Sequence, residues 1–257
     1  MSHTDKVSII VPMHNAARYI EETITSVVNQ TYVNWELILV DDCSTDDTLT
    51  VVGEVCAKLP EETAGKIVTI ALKENVGAAN TRNTGLAKST GRYVSYLDAD
   101  DLWEREKLEK QIDLMEEKKA AFSFTGYEFT DENGKGMGKI VKVPETISYK
   151  QALQNTTIFT STVMFDTKQI PREELAMPVM KSEDTALWFK LLRGGMLAYG
   201  LDENLVGYRR AGKSLSSNKL EAIRRIWNLY RKAERLSIPY SMYNFFFWAV
   251  RAVKRRI

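Results

Sequence analysis

The sequence of 257 residues contains little cysteine. Its two cysteines, Cys43 and Cys56, exclude a disulfide framework and a four-cysteine zinc site, and they favour a reducing compartment. The polar start, MSHTDK, is followed by only a short apolar run, so no secretory signal or membrane-spanning helix is predicted there. We therefore expect the protein on the cytoplasmic side of the membrane.

The first apolar run, residues 7–11, is not followed by a glycine-rich loop. The sequence that follows it lacks G-x-G-x-x-G, which disfavours an NAD(P) oxidoreductase. It also lacks the glycine-rich, Lys- or Arg-bearing phosphate loop expected of a nucleotidyltransferase. Two common classes of nucleotide-binding enzyme are thereby disfavoured.

Net charge is also small, with 35 basic and 34 acidic residues, but the charges are unevenly distributed. Residues 219–257 carry ten basic and two acidic residues, whereas residues 1–218 carry 25 and 32. A basic segment rich in aromatics indicates either nucleic acid or an anionic membrane surface as its partner. Nucleic acid is disfavoured, because the rest of the chain is acidic and contains no recognisable nucleic-acid-binding module.

Four strand-length apolar runs alternate with helical patterns over residues 1 to about 120. The predicted strands are 7–11, 35–40, 67–72 and 92–97, and the predicted helices are 17–29, 45–58 and 77–88. This alternation predicts βαβ units and a parallel, doubly wound sheet. Ligands of such sheets bind outside the carboxyl ends of the strands.

The pattern changes after residue 120. A hairpin is predicted over 121–143, with strong turn chemistry at 131–136, and a further strand at 161–165. Helical patterns follow at 183–193, 219–236 and 240–255. No internal repeat or linker is present, so we expect one domain with a helical C-terminal appendix.

Carboxylates follow two of the predicted strands directly. Asp41 and Asp42 end the second strand, and Asp98, Asp100 and Asp101 end the fourth. Carboxylates that converge on one rim repel one another, and Mg²⁺ or Mn²⁺ would compensate by binding their oxygens together with phosphate oxygens. The alternative is that these aspartates serve turns and helix starts, with residues 101–104 opening the next helix.

Four segments place these aspartates in a wider pattern that resembles the family 2 glycosyltransferases of the GT-A fold. The segments are VSIIVPMHNAARYIEETITSVVNQTY, WELILVDDCSTDDT, NVGAANTRNTGLAKSTGRYVSYLDADDLW and SEDTALWFKLL. The closer likeness is to bacterial transferases that build teichuronic-acid, capsular and O-antigen polysaccharides. The resemblance implies a mixed, mainly parallel sheet with helices on both faces.

The resemblance also implies a division of the chain. Residues 1–218 would form the transferase domain, with a nucleotide-binding half at 1–120 and an acceptor-binding half at 121–218. Residues 219–257 would form a basic helical extension.

Nucleotide-binding residues can be carried over from the family's motifs. The end of the first strand, where the family holds the base, corresponds to Pro12, His14 and Asn15, with His14 in place of the commoner tyrosine. Asp42 matches the acid that reads uracil. Asn75 and Arg82 lie in the NxGxxxxRN segment, where Arg82 would pair with a phosphate or with the acidic rim.

The motif Asp98-Ala99-Asp100 resembles the family's Asp-x-Asp motif. By that match Asp100 ligates the metal and Asp98 contacts ribose or metal, and Asp101 is close enough to substitute. The metal, Mn²⁺ or Mg²⁺, would bridge the diphosphate and neutralise the leaving group.

Glu183 and Asp184 resemble the catalytic acidic pair, which makes Asp184 the expected general base. The alternative is an acidic pair favoured only by the helix dipole. Trp188, one turn later, would line an acceptor pocket or belong to the core.

The segment Tyr208-Arg209-Arg210-Ala211 departs from the family pattern. Ala211 stands where many relatives place a histidine that would add a metal ligand, so aspartate and phosphate alone would hold the metal. Arg209 or Lys213 would add phosphate contacts, and Ser214 and Ser216 fit the family's loop.

The C-terminal segment 242–257 interleaves aromatic and basic residues and is too short and charged to span a bilayer. It is typical of an interfacial helix on an anionic leaflet. The alternative is that its aromatic side chains pack onto the catalytic domain.

Together these features predict a metal-dependent inverting glycosyltransferase. It would move a sugar from a UDP-sugar to a glycan or polyprenyl-linked acceptor of the cell surface, on the inner face of the membrane. The alternative is a non-catalytic scaffold that binds nucleotide-sugar or glycan.

Overall fold

The computed structural model describes residues 4–154, 157–210 and 219–254. The first half alternates strands and helices as predicted. Its elements are β1 (Val7–Met13), α1 (Ile20–Val28), β2 (Trp35–Asp41), α2 (Thr48–Lys58), α3 (Glu61–Ala64), β3 (Ile67–Ala71), α4 (Gly77–Lys88), β4 (Tyr93–Tyr96), β5 (Leu102–Trp103) and α5 (Lys107–Lys118).

The second half begins with the predicted hairpin and ends in helices. Its elements are β6 (Phe122–Thr130), β7 (Gly136–Val141), β8 (Thr146–Ile147), α6 (Tyr149–Leu153), a 3₁₀ helix (Thr160–Thr162), β9 (Met164–Asp166), a second 3₁₀ helix (Arg172–Leu175), α7 (Glu183–Arg193), β10 (Ala198–Arg209), α8 (Lys219–Asn228), a π-helix (Leu229–Ala233) and α9 (Ile238–Lys254).

The strands form a mixed sheet in the order β3-β2-β1-β4-β9-β6-β10-β5, with β7 paired to β6 and β8 to β10. The predicted parallel portion is β3-β2-β1-β4, in which every pair is parallel. Beyond β4 the pairs are antiparallel except for β6 with β10. The α/β fold class is confirmed, with most of the parallel pairs in residues 1–120.

Two apolar cores cover the two faces of this sheet. Because side chains alternate along a strand, Ile10 packs into one core and its neighbours Ile9 and Val11 into the other. Burial on both faces explains why β1 reads as a continuous apolar run. A Cβ on Gly85 would lie 2.5 Å from Ile10 Cγ2, so this glycine permits α4 to pack closely on β1.

Two local expectations are wrong. Residues 102–103 pair with β10 as a short strand, and the helix that they were expected to open begins only at Lys107. Residues 161–162, expected to begin a strand, belong to the 3₁₀ helix Thr160–Thr162 before β9. Both segments lie beside the acidic rim. Hydrogen bonds between side chains and that loop determine the local backbone conformation there.

The C-terminal helices pack on the core that contains α7. Leu229 and Tyr230 of the π-helix are fully buried there, and Phe245 and Trp248 of α9 pack against it partly buried. No described helix is both long and apolar enough to cross a membrane. The division into 1–218 and 219–257 stays a prediction.

Candidate active site

A cavity of about 430 Å³ lies at the carboxyl ends of β1, β2 and β4. Its size is typical of small-molecule sites. Its lining contains all the residues expected to bind nucleotide or metal: Pro12, His14, Asn15, Asp42, Asn75, Arg82, Asp98 and Asp100. Asp101 and Asp184 do not line it.

Asp42 fixes one wall of the cavity by holding the start of α4. Its two carboxylate oxygens accept hydrogen bonds from the backbone N–H groups of Val76 (2.7 Å) and Gly77 (2.9 Å). These N–H groups have no partner within the helix, and an anion there is favoured by the helix dipole. Asp42 is 4% exposed and lines the cavity.

His14 and Asn75 lie against the same backbone carbonyl. The carbonyl oxygen of Asp42 is 2.9 Å from His14 Nδ1 and 3.3 Å from Asn75 Nδ2. Asn15 Nδ2 is 3.4 Å from His14 Nε2, and Asn75 Nδ2 is 3.3 Å from His14 Nδ1. With its proton on Nδ1, His14 donates to the carbonyl oxygen of Asp42 and accepts from Asn15, and Asn75 then donates to the same carbonyl oxygen. The imidazole is thereby held at the edge of the cavity where the resemblance places a base-contacting side chain.

Positive φ angles mark the loops around the cavity. Asn15 (φ 52°) and Cys43 (φ 59°) follow β1 and β2, and Ser182 (φ 63°) precedes α7. Non-glycine residues adopt this region at a cost, and they concentrate at functional sites. Asn15 is held there by Ser44 Oγ, which accepts from its backbone N–H at 2.9 Å.

The acidic rim is anchored through Asp101. This carboxylate is fully buried, and it accepts hydrogen bonds from Ser161 Oγ (2.5 Å) and the backbone N–H of Arg209 (3.0 Å). Ser161 Oγ in turn accepts from the backbone N–H of Asp98 at 3.0 Å. Asp101 therefore holds the loop, while Asp98 and Asp100 face the cavity.

Asp98 and Asp100 repel each other in a partly buried place. Burial and the neighbouring Asp98 carboxylate raise the pKa of Asp100 to about 6. Among the described residues, no three or more His, Cys, Asp or Glu side chains are arranged to hold a metal ion. Two carboxylates with a diphosphate and water nevertheless match the donor set that Mg²⁺ takes in phosphate-containing sites.

Arg82 joins the rim to the second acidic pair. Its side chain is 8% exposed; Nη2 donates to Asp98 Oδ1 at 2.6 Å, and Nη1 donates to Glu183 Oε1 at 2.8 Å. Of the two roles expected for Arg82, pairing with the acidic rim is the one observed. Because both contacts are buried, Arg82 fixes the N-terminal end of α7 relative to the cavity.

Glu183 and Asp184 occupy different environments in the first turn of α7. Glu183 is bound to Arg82, and burial followed by the adjacent Asp184 raises its pKa. Asp184 is half-buried; it accepts hydrogen bonds from Thr160 Oγ1 (3.1 Å) and the backbone N–H of Thr185 (2.6 Å). No salt bridge to Asp184 is present among the described residues.

The structure decides between the two alternatives for Trp188 and shows which groups Arg209 contacts. Trp188 is 2% exposed and packs on Phe122 and Phe165, so it belongs to the core. The Arg209 guanidinium, with a side chain 1% exposed, donates to the carbonyl oxygens of Asp100 (2.8 Å) and Glu132 (2.9 Å) and to Glu22 (2.6 Å). These contacts hold the acidic loop, and the phosphate contact expected for Arg209 stays a prediction.

The remaining loop expectations, at Ala211, Lys213, Ser214 and Ser216, lie outside the described residues. Sequence reasoning missed Ser161 and Thr23, which bind the acidic loop. Thr23 Oγ1 donates to the carbonyl oxygens of Ala99 (2.9 Å) and Asp101 (3.0 Å). No local pattern marks either residue, because their partners are distant in sequence.

The model of glycosyl transferase family 2 matches residues 8–172. The chain belongs to this family. The glycosyltransferase is 42% identical, over 98% of this chain and 97% of the relative, to TuaG of Bacillus subtilis, a protein named for teichuronic acid biosynthesis. It is 35% identical, over 87% of this chain and 84% of the relative, to WfgD of Escherichia coli, named a UDP-Glc:α-D-GlcNAc-diphosphoundecaprenol β-1,3-glucosyltransferase.

Solved structures show the same fold. The glycosyltransferase superposes on Staphylococcus aureus TarS 1-349 in complex with UDP-GlcNAc with a TM-score of 0.70 and 22% identity, covering 95% of this chain and 71% of that one. It superposes on the mannosyltransferase PcManGT of Pyrobaculum calidifontis, in complex with GDP-Man and Mn²⁺, with a TM-score of 0.68 and 19% identity, covering 98% and 76%. The predicted family, enzyme class and GT-A fold are confirmed.

Proposed function

We propose that this glycosyltransferase is a metal-dependent inverting enzyme that moves a sugar from a UDP-sugar to a lipid-linked acceptor in cell-surface polysaccharide synthesis. The observation that carries the proposal is the single cavity that joins Asp42 and His14 to Asp98 and Asp100. The named acceptor of WfgD is a diphosphoundecaprenol-linked sugar, and TarS binds UDP-GlcNAc. Both support the proposed substrates.

In this mechanism the residues at the strand ends bind the donor. His14, Asn15 and Asp42 would hold the nucleoside, and Asp98 and Asp100 would face its diphosphate. A Mn²⁺ or Mg²⁺ ion held by Asp98, Asp100 and the diphosphate would neutralise charge on the leaving group. Arg82 keeps Asp98 in place and balances part of its charge.

Asp184 would act on the acceptor. Its carboxylate takes the proton of the acceptor hydroxyl as the oxygen bonds to the anomeric carbon, and the bond from that carbon to the diphosphate oxygen breaks. Attack from the face opposite the leaving UDP inverts the anomeric configuration. The hydroxyl of Thr160 orients Asp184, whereas Glu183 is already committed to Arg82.

Calorimetric titration tests the donor site. We expect UDP to bind at least tenfold more tightly with Mn²⁺ present, equivalent to about 1.4 kcal/mol or more, and Asp100→Asn to remove this gain. Glu117→Gln, an exposed carboxylate on α5, is the matched control and should bind like the wild type. UDP affinity that does not respond to Mn²⁺, or an unchanged gain in Asp100→Asn, would contradict the assignment.

Helix α9 is the proposed membrane-binding element. Its buried side, which includes Ser241 and Asn244, faces the protein, whereas Met242, Tyr243 and Phe246 are 60%, 52% and 62% exposed. Exposed apolar side chains at helical spacing, on a basic segment, are typical of an interfacial helix. Membrane binding and packing onto the catalytic domain are therefore compatible roles for this segment, because different faces of α9 would perform them.

Vesicle sedimentation tests this element. We expect the protein to bind phosphatidylglycerol vesicles and Met242→Ser/Phe246→Ser to reduce the bound fraction several-fold, since both apolar contacts are lost. The control Val33→Ser/Met137→Ser changes residues of similar exposure, 68% and 58%, elsewhere on the surface. Equal binding of the two double variants would overturn the assignment of α9.

A further inference from the structure

A second cavity, about 660 Å³ in volume, lies between the segment before α7 and one side of α8. Four basic side chains line it, and one acidic side chain does: Lys181, Arg224, Arg225, Lys232 and Glu221. The α8 residues recur at three- and four-residue spacing, which places them on one helix face. We refer to this cavity as the basic cleft.

The protein balances only part of the positive charge of the basic cleft, because Glu221 is the one acidic side chain in its described lining and also attracts Arg225 and Arg224. Glu221 forms a salt bridge with Lys181. No salt bridge to Arg224, Arg225 or Lys232 is present among the described residues. Cations that share one helix face repel one another, so an anionic ligand would stabilise them.

Arg225 also lines the basic cleft, and its side chain is partly buried. Its Nε–H is inaccessible to solvent and has no hydrogen-bond partner. A buried donor without an acceptor is costly, and buried polar groups are nearly always satisfied. Phosphate oxygens in the cleft would not reach this inaccessible atom, but they match the geometry of the accessible guanidinium N–H groups of Arg224.

The position of the cleft identifies which substrate supplies the anion. Lys181 lines the cleft and lies three residues before Asp184, at most about 11 Å away along the chain. Glu183, between them, binds Arg82, which lines the nucleotide cavity. The start of α7 is thus linked to both cavities, through Lys181 before it and through the contact of Glu183 with Arg82. The donor diphosphate is already assigned to Asp98 and Asp100.

We propose that the basic cleft binds the diphosphate of a lipid-linked acceptor, so that the attached sugar reaches Asp184. This inference rests on the proposed function and names the subsite for its acceptor. Exposed apolar residues flank the cleft in sequence: Val179 precedes Met180 and is 72% exposed, and Ile223 precedes Arg224 and is 43% exposed. They offer contact to the first part of a lipid chain.

Calorimetric titration of the full chain, saturated with UDP and Mn²⁺ to fill the donor site, tests the cleft. The probe is a short prenyl-diphosphate-linked sugar, and the variant is Arg224→Gln/Lys232→Gln, which changes two exposed side chains. We expect roughly tenfold or greater loss of affinity. The control Lys58→Gln/Lys88→Gln removes the same charge at exposed positions elsewhere and should bind like the wild type.

Two comparison ligands identify the source of the anion. A neutral alkyl glycoside of the same sugar should bind the variant and the wild type equally, and so should phosphatidylglycerol vesicles. Equal affinity of variant and wild type for the diphosphate probe, or no binding of it to the wild type, would overturn the proposal. If the variant lost affinity only for the vesicles, the proposal would also be overturned, and the cleft would be a site for lipid headgroups.

Acceptor kinetics separate this proposal from the function on which it rests. In the variant, KM for the diphosphate-linked acceptor should rise while kcat and the donor KM stay near wild type. If the wild type transferred sugar and the variant had an unchanged acceptor KM, the assignment of the basic cleft would be overturned and the proposed function would stand. Absence of transfer by the wild type would overturn the proposed function, while the titration would still report on the cleft.

Discussion

Asp184→Asn is expected to reduce sugar transfer by about 10²–10⁴-fold, the usual contribution of a general base. Asparagine keeps the shape and a carbonyl oxygen that can accept from Thr160 or Thr185, but it cannot take up the acceptor proton. Calorimetry should show unchanged UDP affinity, because Asp184 does not line the nucleotide cavity. The loss should therefore appear in kcat.

The adjacent carboxylate provides the sharpest comparison for this result. Glu183 binds Arg82, so Glu183→Gln should disturb the link to Asp98 and affect stability as well as turnover. Glu173→Gln, an exposed carboxylate, is the neutral control and should leave kcat unchanged. If Asp184→Asn transferred sugar within a few-fold of the wild type, another group would have to be the base.

Arg82→Met is expected to lower the free energy of unfolding by about 3–5 kcal/mol, the usual cost of removing one partner from a buried ion pair. The guanidinium is buried between Asp98 and Glu183, whose side chains are 25% and 19% exposed. Methionine fills a similar volume but leaves both carboxylates without their cation. Urea denaturation at neutral pH measures the loss.

The pH dependence of this loss has a definite sign. Without Arg82, the uncompensated carboxylates bind protons more readily in the folded state than in the unfolded chain, so stability is gained as pH falls. The deficit of Arg82→Met should therefore be largest near neutral pH and shrink towards about pH 5. Arg82→Lys keeps the positive charge but loses the planar guanidinium that donates to both carboxylates. Its free energy of unfolding should therefore lie between those of the wild type and Arg82→Met. A deficit under about 1 kcal/mol at neutral pH would contradict the structural role of Arg82.

The sequence was sufficient to predict the parallel half of the sheet and the position of the cavity. Val7–Met13 and Trp35–Asp41 are continuous apolar runs because both faces are covered, and Asp42 and Asp98 follow their strands directly. Since carboxyl ends of parallel strands share one edge, local patterns were enough to bring these residues together.

Contacts between distant segments could not be predicted in this way. Ser161 binds Asp98 and Asp101, which lie 63 and 60 residues earlier in the chain. Nothing near Ser161 in the sequence indicates these partners. The burial of Arg209 is set by Glu22 and Asp100, on separate elements. The aromatic segment of α9 was ambiguous for the same reason, because tertiary packing decides which face is covered.

Transfer of radiolabelled sugar from a panel of UDP-sugars to a prenyl-diphosphate-linked acceptor, with and without Mn²⁺, tests the central claim most directly. We expect at least one UDP-sugar to give an elongated lipid-linked product with inverted anomeric configuration, only when the metal is present. Binding of UDP with Mn²⁺ but no transfer from any donor would contradict the account and identify a nucleotide-sugar-binding scaffold.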